Sequence, residues 1–474
     1  MRQINRITLY FFGALGGVLF GYDLGVISGV LVFIAKNWHL TGFAKGVVVA
    51  SLAAGAIIGA ALASRITDAI GRKRTIMAAA LVVIGGTLAA TFAPTYGTLT
   101  AFRGVIGLGV GLSSATVPTY LSELAPARLR GALSALNQIF IVLGIFIAFV
   151  VSYSLRTTGN WRLMIFLAVV PAVILLSGLT FLPETPRWLL RAGREGEARA
   201  VLVAAHGADD VDAEIASIRE VLQADASRRV GLRDLTAAWV RPMFIVALLL
   251  AVGQQFSGVN AINAYFPTIL IALGFTTSAA LLSGVLLGAT KFLFTAWAVF
   301  TVDRWGRKPL LLIGNAVMAV TLLATGFTVL NVHNKGTLGA LTLTFLVLYL
   351  VGYELGWGAV VWVMMAEVFP LRVRAVGMGV SSVVLWAATG IVTALFPIMS
   401  DGNHLGIGHS MWVFAGVNVV LFGLTWWLVP ETKGRSLEQI ELSLRERHLG
   451  RGRVLVGDAA NLVGDAGNKV ADAD

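Results

Sequence analysis

Long apolar stretches alternate with short polar connections along the whole of this sequence. An apolar run of about 18 residues or more predicts a membrane-spanning helix, because ~20 residues at helical rise cross the hydrocarbon layer of a bilayer. We predict twelve spans, at 7–34, 44–64, 75–92, 98–122, 132–155, 161–182, 241–273, 279–302, 309–330, 338–365, 373–398 and 410–429. The first stretch is too long for a signal-peptide core and lacks an obvious cleavage site, so we count it as a span.

The connections carry the charge, and they carry it unequally. Only 13% of the residues are charged, whereas roughly a quarter is typical of a soluble protein. Lysine and arginine gather in alternate connections, at 65–74, 128–130, 187–241, 304–308, 372–374 and in the C-terminal tail. This positive-inside pattern predicts a multi-pass protein of the plasma membrane with both termini in the cytoplasm. It also accounts for the net charge of +11 without a nucleic-acid partner.

Three motifs occur twice, once in each half of the chain. They are Asp68–Lys73 (DAIGRK) and Asp303–Lys308 (DRWGRK), Glu123–Arg130 (ELAPARLR) and Glu367–Arg374 (EVFPLRVR), and Pro183–Arg187 (PETPR) and Pro430–Arg435 (PETKGR). Each pair follows equivalent spans, the second, fourth and sixth of its half. The repeats predict an N-terminal six-helix half (1–182), a cytoplasmic linker (183–240), a C-terminal six-helix half (241–429) and a cytoplasmic tail (430–474). Paired repeats around a site near the midplane are how secondary transporters alternate access.

Local patterns add detail to this division. Within the linker, Glu195–Val203 and Ala213–Ala226 have the amphipathic pattern of short helices. Glycines recur four residues apart on single helix faces, at Gly13, Gly17 and Gly21 in the first span and at Gly107 and Gly111 in the fourth. Such spacing predicts close helix–helix packing in a membrane, where small residues let backbones approach.

Reactive and metal-binding side chains are sparse. The chain has no cysteine, and its six histidines are scattered without the spacing of metal ligands. No connection contains a Ser-His-Asp, nucleophile or metal-ligand motif. We therefore expect no enzyme activity, no catalytic residue, no bound metal and no cofactor.

The repeated motifs resemble those of the sugar porter family of the major facilitator superfamily, which includes bacterial proton–sugar symporters and facilitative glucose transporters. The resemblance runs from about Gly16 to Glu441, and its most specific segments are Pro118–Gly131, Gln254–Asn260 and Pro430–Glu438. It implies an all-α integral membrane protein with the twelve-helix major facilitator fold and a small cytoplasmic helical domain between the halves.

The charged motifs that close the spans suggest a gate. Their carboxylates are Asp68, Glu123, Glu184, Asp303, Glu367 and Glu431, and their arginines are Arg72, Arg130, Arg307, Arg374 and Arg435. Ion pairs among them could clamp the inner ends of the halves together while the site opens outward. One exposed pair contributes only ~0–1 kcal/mol, so a network is needed. The alternative is that these residues anchor loops and set topology. Ala69 replaces the usual first arginine of the motif.

Polar side chains within apolar spans are costly and therefore indicate function. Such residues include the carboxamides Gln138 in the fifth span and Gln254, Gln255 and Asn260 in the seventh. Carboxamides both donate and accept hydrogen bonds, which suits the hydroxyl groups of a sugar. Gln254 and Asn260 are six residues apart, and Gly258 permits a helix break that would turn both inward. The alternative is that the amides only join helices to one another.

The resemblance adds aromatic residues to this pocket. It places Phe20, Trp362 and Trp386 along the sugar site, where they would supply an apolar face for a sugar ring. The alternative for the tryptophans is a position at the membrane interface, where this residue is common.

Several positions depart from the family's usual pocket. They are Lys291 in place of an asparagine, Leu385 and Thr389 in place of polar residues, and Asn263 and Ala264 in place of aromatics. An ammonium in mid-membrane is disfavoured by several kcal/mol unless it is paired. We expect Glu354 to be its partner, since the facilitative carriers also have a glutamate there. The competing hypothesis is that Lys291 binds an anionic or unusual substrate, such as an acidic sugar or a cyclitol.

Asp23 in the first span and Arg103 in the fourth are candidates for proton coupling. Withdrawal of the guanidinium would favour proton uptake by the carboxylate, and its return would favour release. Proton-coupled members of the family have an aspartate at the position of Asp23, and facilitative members usually have asparagine. The alternative is a permanent structural ion pair.

These observations together predict a secondary active transporter that carries a sugar or related polyol with a proton. We expect the protein to be a monomer whose partners are the sugar, the proton and the lipid bilayer. The alternatives are a uniporter, a carrier of a sugar acid or cyclitol, and a sugar sensor that does not transport. The short tail argues against the sensor.

Overall fold

The computed structural model describes residues 6–124, 130–206, 211–227, 231–370 and 373–433, without the side chains of 6–10, 130–135, 205–206, 221, 224–227, 300, 303 and 375. All regular structure in these segments is helical. The helices are α1 Arg6–Asn37, α2 Gly42–Ile70, α3 Arg72–Thr91, α4 Tyr96–Leu124, α5 Arg130–Ser154, α6 Trp161–Phe166, α7 Val169–Phe181, α8 Pro186–Arg191, α9 Glu195–His206, α10 Val211–Ser227, α11 Arg241–Phe256, α12 Val259–Ala272, α13 Thr277–Trp305, α14 Arg307–Asn331, α15 Lys335–Tyr353, α16 Ala359–Val368, α17 Arg374–Met399 and α18 Gly406–Leu428.

The twelve predicted spans are confirmed, since the described chain contains 12 helical segments long and apolar enough to cross a bilayer. Three of them are interrupted: α6 is followed by α7, α11 by α12, and α15 by a π-helical turn, Glu354–Gly358, and then α16. The helices extend beyond the apolar runs. The second reaches Ile70 and the eighth reaches Trp305, because each ends at a motif glycine, Gly71 (φ 98°) or Gly306 (φ 91°), in a conformation that other residues rarely adopt.

Both helices expected in the linker are present, as α9 and α10, and α8 precedes them. The start of α8 carries an ordinary signal: the side chain of Thr185 accepts a hydrogen bond from Trp188 N, and Pro186 occupies the first turn. Leu202, Val211 and Ile215 form a small apolar cluster that holds the linker helices together.

Glycines allow the helix backbones of each half to touch. A β-carbon on Gly107 of α4 would lie 2.0 Å from the carbonyl oxygen of Leu52 on α2, and one on Gly111 would lie 2.2 Å from that of Ala56. Both distances are far shorter than a van der Waals contact, so the predicted α4 glycines are required for this packing. The outward surface is apolar, with Phe92, Phe181 and Trp427 each more than 70% exposed, as suits a lipid-facing belt.

The two halves are in backbone contact at one end of the bundle, near residues 37–46 and 393–401, which we call the closed end. A β-carbon on Gly42 of α2 would lie 2.8 Å from Pro397 O of α17, and one on Gly46 would lie 2.4 Å from Ala394 O. The duplicated charged motifs lie at the opposite end of these helices. The central site is therefore covered on the side away from those motifs.

We expect Gly107→Ala to destabilise the protein by about 1–3 kcal/mol, because the added methyl group must displace the α2 backbone. The matched control is Gly85→Ala on α3, where a β-carbon would have no atom of the described structure within 4 Å. The control should be neutral or slightly stabilising, since alanine favours a helix over glycine. Thermal unfolding midpoints in detergent measure both. Equal midpoints for the two variants would contradict the packing argument.

Candidate functional site

The seventh span is broken at Gly258, as the sequence suggested. Gly258 has φ 101° and separates α11 from α12. The break leaves the carbonyl oxygen of Ser257 outside the helical ladder, where an unpaired acceptor in lipid would be costly. Tyr349 Oη and Asn418 Nδ2 each donate a hydrogen bond to this oxygen, at 3.1 Å in both cases. The break is therefore stabilised by side chains of two other spans, α15 and α18.

The break brings the carboxamides of the seventh span into one hydrogen-bonded row. Asn260 Nδ2 donates to Gln255 Oε1 at 2.5 Å, and Gln255 Nε2 donates to Gln254 Oε1 at 3.1 Å. Gln254 Nε2 in turn donates to the backbone oxygen of Trp357 at 2.9 Å. Gln254 and Gln255 are buried, and Asn260 is half-buried. The row is a fixed series of amide groups, which as a class can both donate to and accept from hydroxyl groups.

Aromatic residues from both halves meet beside this row. The ring centroids of Phe20 on α1 and Trp386 on α17 are 5.3 Å apart, with the ring planes inclined by 55°. Trp362 on α16 and Gln138 on α5 are half-buried and make no hydrogen bond with other described residues. The structure thus joins Phe20 to Trp386, and it leaves Gln138 and Trp362 on separate helices.

Lys291 and Glu354 form a buried ion pair between α13 and the π-helical turn. Lys291 Nζ lies 2.6 Å from Glu354 Oε1, and the two side chains are 4% and 1% exposed. Thr295 Oγ1, one turn along α13, donates to Glu354 Oε2 at 2.8 Å. The ring of Tyr353 lies 5.3 Å from the ammonium, within the range of a cation–π contact. The charge of the lysine is therefore balanced within the protein, as the pairing hypothesis requires.

The π-helical turn links this ion pair to the carboxamide row. The turn begins at Glu354 and contains Trp357, whose carbonyl oxygen accepts the bond from Gln254. A β-carbon at Gly358 would lie 2.5 Å from Glu354 Oε2, so a glycine is needed for the carboxylate to occupy its place. π-Helical turns inside α-helices occur frequently at functional sites.

Asp23 and Arg103 are both buried, at 3% and 2% exposure, but they are not in contact. No ion pair within 4 Å joins them among the described side chains. Arg103 Nε instead donates to the carbonyl oxygen of Val48 on α2 at 3.0 Å. Asp23 Oδ2 is buried without a hydrogen-bond partner in the described structure. The two predicted coupling residues are thus not paired with each other in this conformation.

Side chains also join the halves at the closed end. Tyr265 Oη of α12 lies 2.9 Å from Thr393 O on α17 and 3.3 Å from Lys45 O on α2. Arg156 Nε, after α5, donates to Ser278 Oγ of α13 at 3.0 Å. These contacts hold α12 and α13 against the first half.

At the opposite end, the motif residues of the first half pair with one another. Arg72 Nη2 lies 3.1 Å from Glu123 Oε1, and its Nη1 lies 3.6 Å from Asp68 Oδ1. Glu184 accepts hydrogen bonds from the backbone N–H groups of Arg72 and Lys73, at 3.0 and 3.1 Å, at the start of α3. A carboxylate at a helix N-terminus is favourable because it meets unpaired N–H groups and the positive end of the helix dipole.

The second half repeats this arrangement almost atom for atom. Arg307 Nη2 lies 3.0 Å from Glu367 Oε1, and Glu431 accepts from the backbone N–H groups of Arg307 and Lys308 at 3.0 Å each. Arg374 departs from the expected pairing, since it donates through Nε and Nη2 to the carbonyl oxygen of Phe369. Arg435 and the side chains of Arg130 and Asp303 lie outside the described residues.

Sequence reasoning missed several residues that organise this site. Asn418 is a polar residue in an apolar span, so the rule that identified the glutamines would have identified it too. Tyr349, Thr295 and Tyr265 gave no such signal, because tyrosine and threonine are common in membrane helices without a functional role. Their contribution depends on which carbonyl or carboxylate lies opposite them, and this becomes known only from the fold.

Comparison with known proteins agrees over nearly the whole chain. The family model for "Sugar (and other) transporter" matches residues 9–444. The glucose transporter GlcP of Staphylococcus epidermidis is 39% identical over 445 residues, 94% of this chain and 98% of that protein. The galactose-proton symporter of Escherichia coli K12 is 37% identical over 459 residues, 96% of this chain and 97% of that protein. The inward open conformation of the xylose transporter XylE from E. coli superposes with a TM-score of 0.79 at 28% identity, covering 93% of this chain and 100% of that one.

We expect Lys291→Met to lower stability by about 3–5 kcal/mol, because it leaves the buried Glu354 carboxylate without its counter-ion. The double variant Lys291→Met/Glu354→Gln should recover most of this loss, since it removes both charges and keeps an acceptor for Thr295. Lys335→Met, at an exposed lysine, is the control for loss of one positive charge. Unfolding midpoints in detergent give the comparison. A single variant as stable as the control would mean that the pair contributes nothing.

Proposed function

Since the chain belongs to the sugar porter family of the major facilitator superfamily, we propose that it carries a neutral sugar or polyol by alternating access, in symport with a proton. Its family and fold are those of membrane transporters. The observation that carries the proposal is the polar site between the halves, where Asn260 of the carboxamide row and Trp386 of the Phe20–Trp386 ring pair line the same cavity. Amides that bind hydroxyl groups and rings that cover an apolar face are what a sugar requires.

The charge of the site supports a neutral substrate. Glu354 balances Lys291 at 2.6 Å, Thr295 donates to the other carboxylate oxygen, and the ring of Tyr353 lies 5.3 Å from the ammonium. A substrate carboxylate would have to compete with this internal partner for the ammonium. The pairing therefore favours a sugar or polyol over a sugar acid.

The described conformation is closed on the outer side in this proposal. The closed end lies opposite the connections rich in lysine and arginine, which the positive-inside rule places in the cytoplasm. The ion pairs of Arg72 and of Arg307 stay within their own halves here. We propose that the motif network joins the two halves only when the site opens outward.

Proton coupling is assigned to Asp23 and Arg103. Burying an unpaired charge costs far more than burying a neutral acid, so we expect Asp23 to hold its proton while Arg103 is bound to Val48 O. When the halves rock outward and the guanidinium returns, the proton is released. The likeness to a galactose-proton symporter supports symport rather than uniport.

We expect Asp23→Asn to abolish uphill accumulation and to retain exchange of labelled sugar across the membrane, because the amide cannot carry a proton. The assay is uptake into proteoliposomes across a panel of neutral sugars, polyols, cyclitols and sugar acids, with a pH gradient switched on and off. Asp401→Asn, at an exposed aspartate, is the matched control. Wild-type uptake that equilibrates without responding to the gradient would make the protein a uniporter.

The same panel tests the substrate class. We expect wild-type protein to transport neutral members and not acidic ones, because Lys291 is already paired. Lys291→Met/Glu354→Gln should still transport a neutral sugar, with its KM changed by no more than about tenfold, since no charge is needed to bind hydroxyl groups. Acidic-sugar transport by the wild type that disappears in Lys291→Asn, with neutral uptake intact, would assign the lysine to the substrate instead.

A further inference from the structure

A small internal cavity lies between the halves, beside the proton-coupling arginine. Its volume is about 20 Å³, and both halves contribute to its wall. Arg103 lines it from the first half, and Asn263 of α12 and Trp386 of α17 line it from the second. Leu24, Ile27 and Val49 supply apolar wall. Asn260 of the carboxamide row also lines it, so the cavity adjoins the candidate sugar site.

The three named polar residues each direct an unpaired atom into a buried setting. Arg103 Nη2, Asn263 Oδ1 and Trp386 Nε1 are all buried and have no hydrogen-bond partner among the described residues. The residues are 2%, 7% and 2% exposed, respectively. Each of the other polar wall residues makes at least one hydrogen bond, since Asn260 donates to Gln255 Oε1, Thr389 to Leu385 O and Thr393 to Thr389 O. Residues from three helices that line this cavity therefore each carry a buried polar atom without a partner.

The chemistry of these atoms specifies what fits between them. Arg103 Nη2 and Trp386 Nε1 are donors, and Asn263 Oδ1 is an acceptor. A ligand must accept two hydrogen bonds and donate one, and it must fit in about 20 Å³. A water molecule meets both conditions, since it needs ~10–15 Å³ and two to four polar partners. A metal cation is excluded by the guanidinium and by the two N–H donors.

We propose that Arg103, Asn263 and Trp386 hold one buried water, and that this water fastens α12 and α17 to α4 when the outer side is closed. The inference rests on the proposed function, in which Arg103 leaves Asp23 in the same conformation. The water completes the partners of Arg103 away from Asp23, since Nε donates to Val48 O and Nη2 would donate to the water. Asn263 thereby becomes a positioning residue, and the family's usual aromatic at this place could not perform its role.

This water-filled junction connects three parts of the transport cycle. Arg103 belongs to the proton site, Trp386 contacts Phe20 in the sugar site, and Asn263 lies two residues before Tyr265, which joins α12 to both halves at the closed end. When Arg103 leaves Asp23, its bonds to Val48 O and to the water offset the lost ion pair. The bond to the water exists only while the outer side is closed. One bridging water would thus couple the protonation of Asp23, the position of the Trp386 ring and the closure of the outer side.

The test measures conformation directly, without transport. The chain contains no cysteine, so Asn37→Cys and His404→Cys, both at exposed positions of the closed end, accept a pair of spin labels without background. Pulsed electron spin resonance on the purified full chain then measures the distances between the two labels. The ratio of short to long distances is the ratio of closed to open molecules. Asn263→Leu keeps the size of the side chain and removes the oxygen. We expect it to lower the closed-to-open ratio by about 2- to 10-fold.

Two further variants separate the water junction from simple packing. Asn263→Asp keeps an acceptor of the same shape, so it should restore the closed fraction to at least the wild-type value. Thr389→Val changes the wall of the same cavity but removes a hydroxyl that is already bonded to its own helix, so it should leave the ratio unchanged.

The proposal is overturned if Asn263→Leu matches wild type, if Asn263→Asp fails to restore closure, or if Thr389→Val lowers the ratio as much as Asn263→Leu does. Each of these results leaves the proposed function standing as long as the wild-type protein accumulates sugar in proteoliposomes. If the wild-type protein does not accumulate sugar but the variants change the label distances as expected, symport is rejected and the water junction is retained.

Discussion

The structure depends on one constraint: inside the hydrocarbon layer, each polar group must find its partner within the protein. Unbroken helices meet it automatically, because every backbone carbonyl is bonded to its own helix. Where a helix is interrupted, the freed carbonyl needs a donor from elsewhere in the protein. At Gly258 the freed carbonyl of Ser257 takes donors from Tyr349 and Asn418, and at the π-helical turn the carbonyl of Trp357 takes one from Gln254. Gln254, an amide of the carboxamide row, is therefore also a group that stabilises the irregular backbone.

The same constraint explains how charge is distributed. Deep in the C-terminal half, Lys291 and Glu354 neutralise each other at 2.6 Å. In the N-terminal half, Asp23 and Arg103 are separated, and each has an unsatisfied atom. In this conformation the first pair is in contact and the second is not. An incomplete pair is what a carrier needs if a charge is to be neutralised in one state and restored in another.

Much of the fold follows from sequence alone, because span length and the positive-inside pattern are set by bilayer thickness and by side-chain charge. Gly258 and the carboxamides were also recognisable, since a helix-breaking residue between polar ones in an apolar run has few explanations. The Lys291–Glu354 pair could be anticipated because an isolated charge in lipid requires a partner. The contributions of Tyr349 and Thr295 could not be anticipated, because each depends on which acceptor lies opposite the hydroxyl group in the fold. The separation of Asp23 from Arg103 depends on conformation, about which sequence is silent.

The helix break at Gly258 affects how α12 can move. Because Ser257 O is bonded to side chains of α15 and α18 and not to the next turn of its own helix, α12 begins as a separate rod with its own first turn. Such a rod can tilt about the glycine without breaking any backbone hydrogen bond of either segment. The energy barrier to tilting then comes from side-chain rearrangement and does not include unfolding of a helix. A gate of this kind can move on the microsecond to millisecond scale of hinge motions while the bundle around it stays rigid.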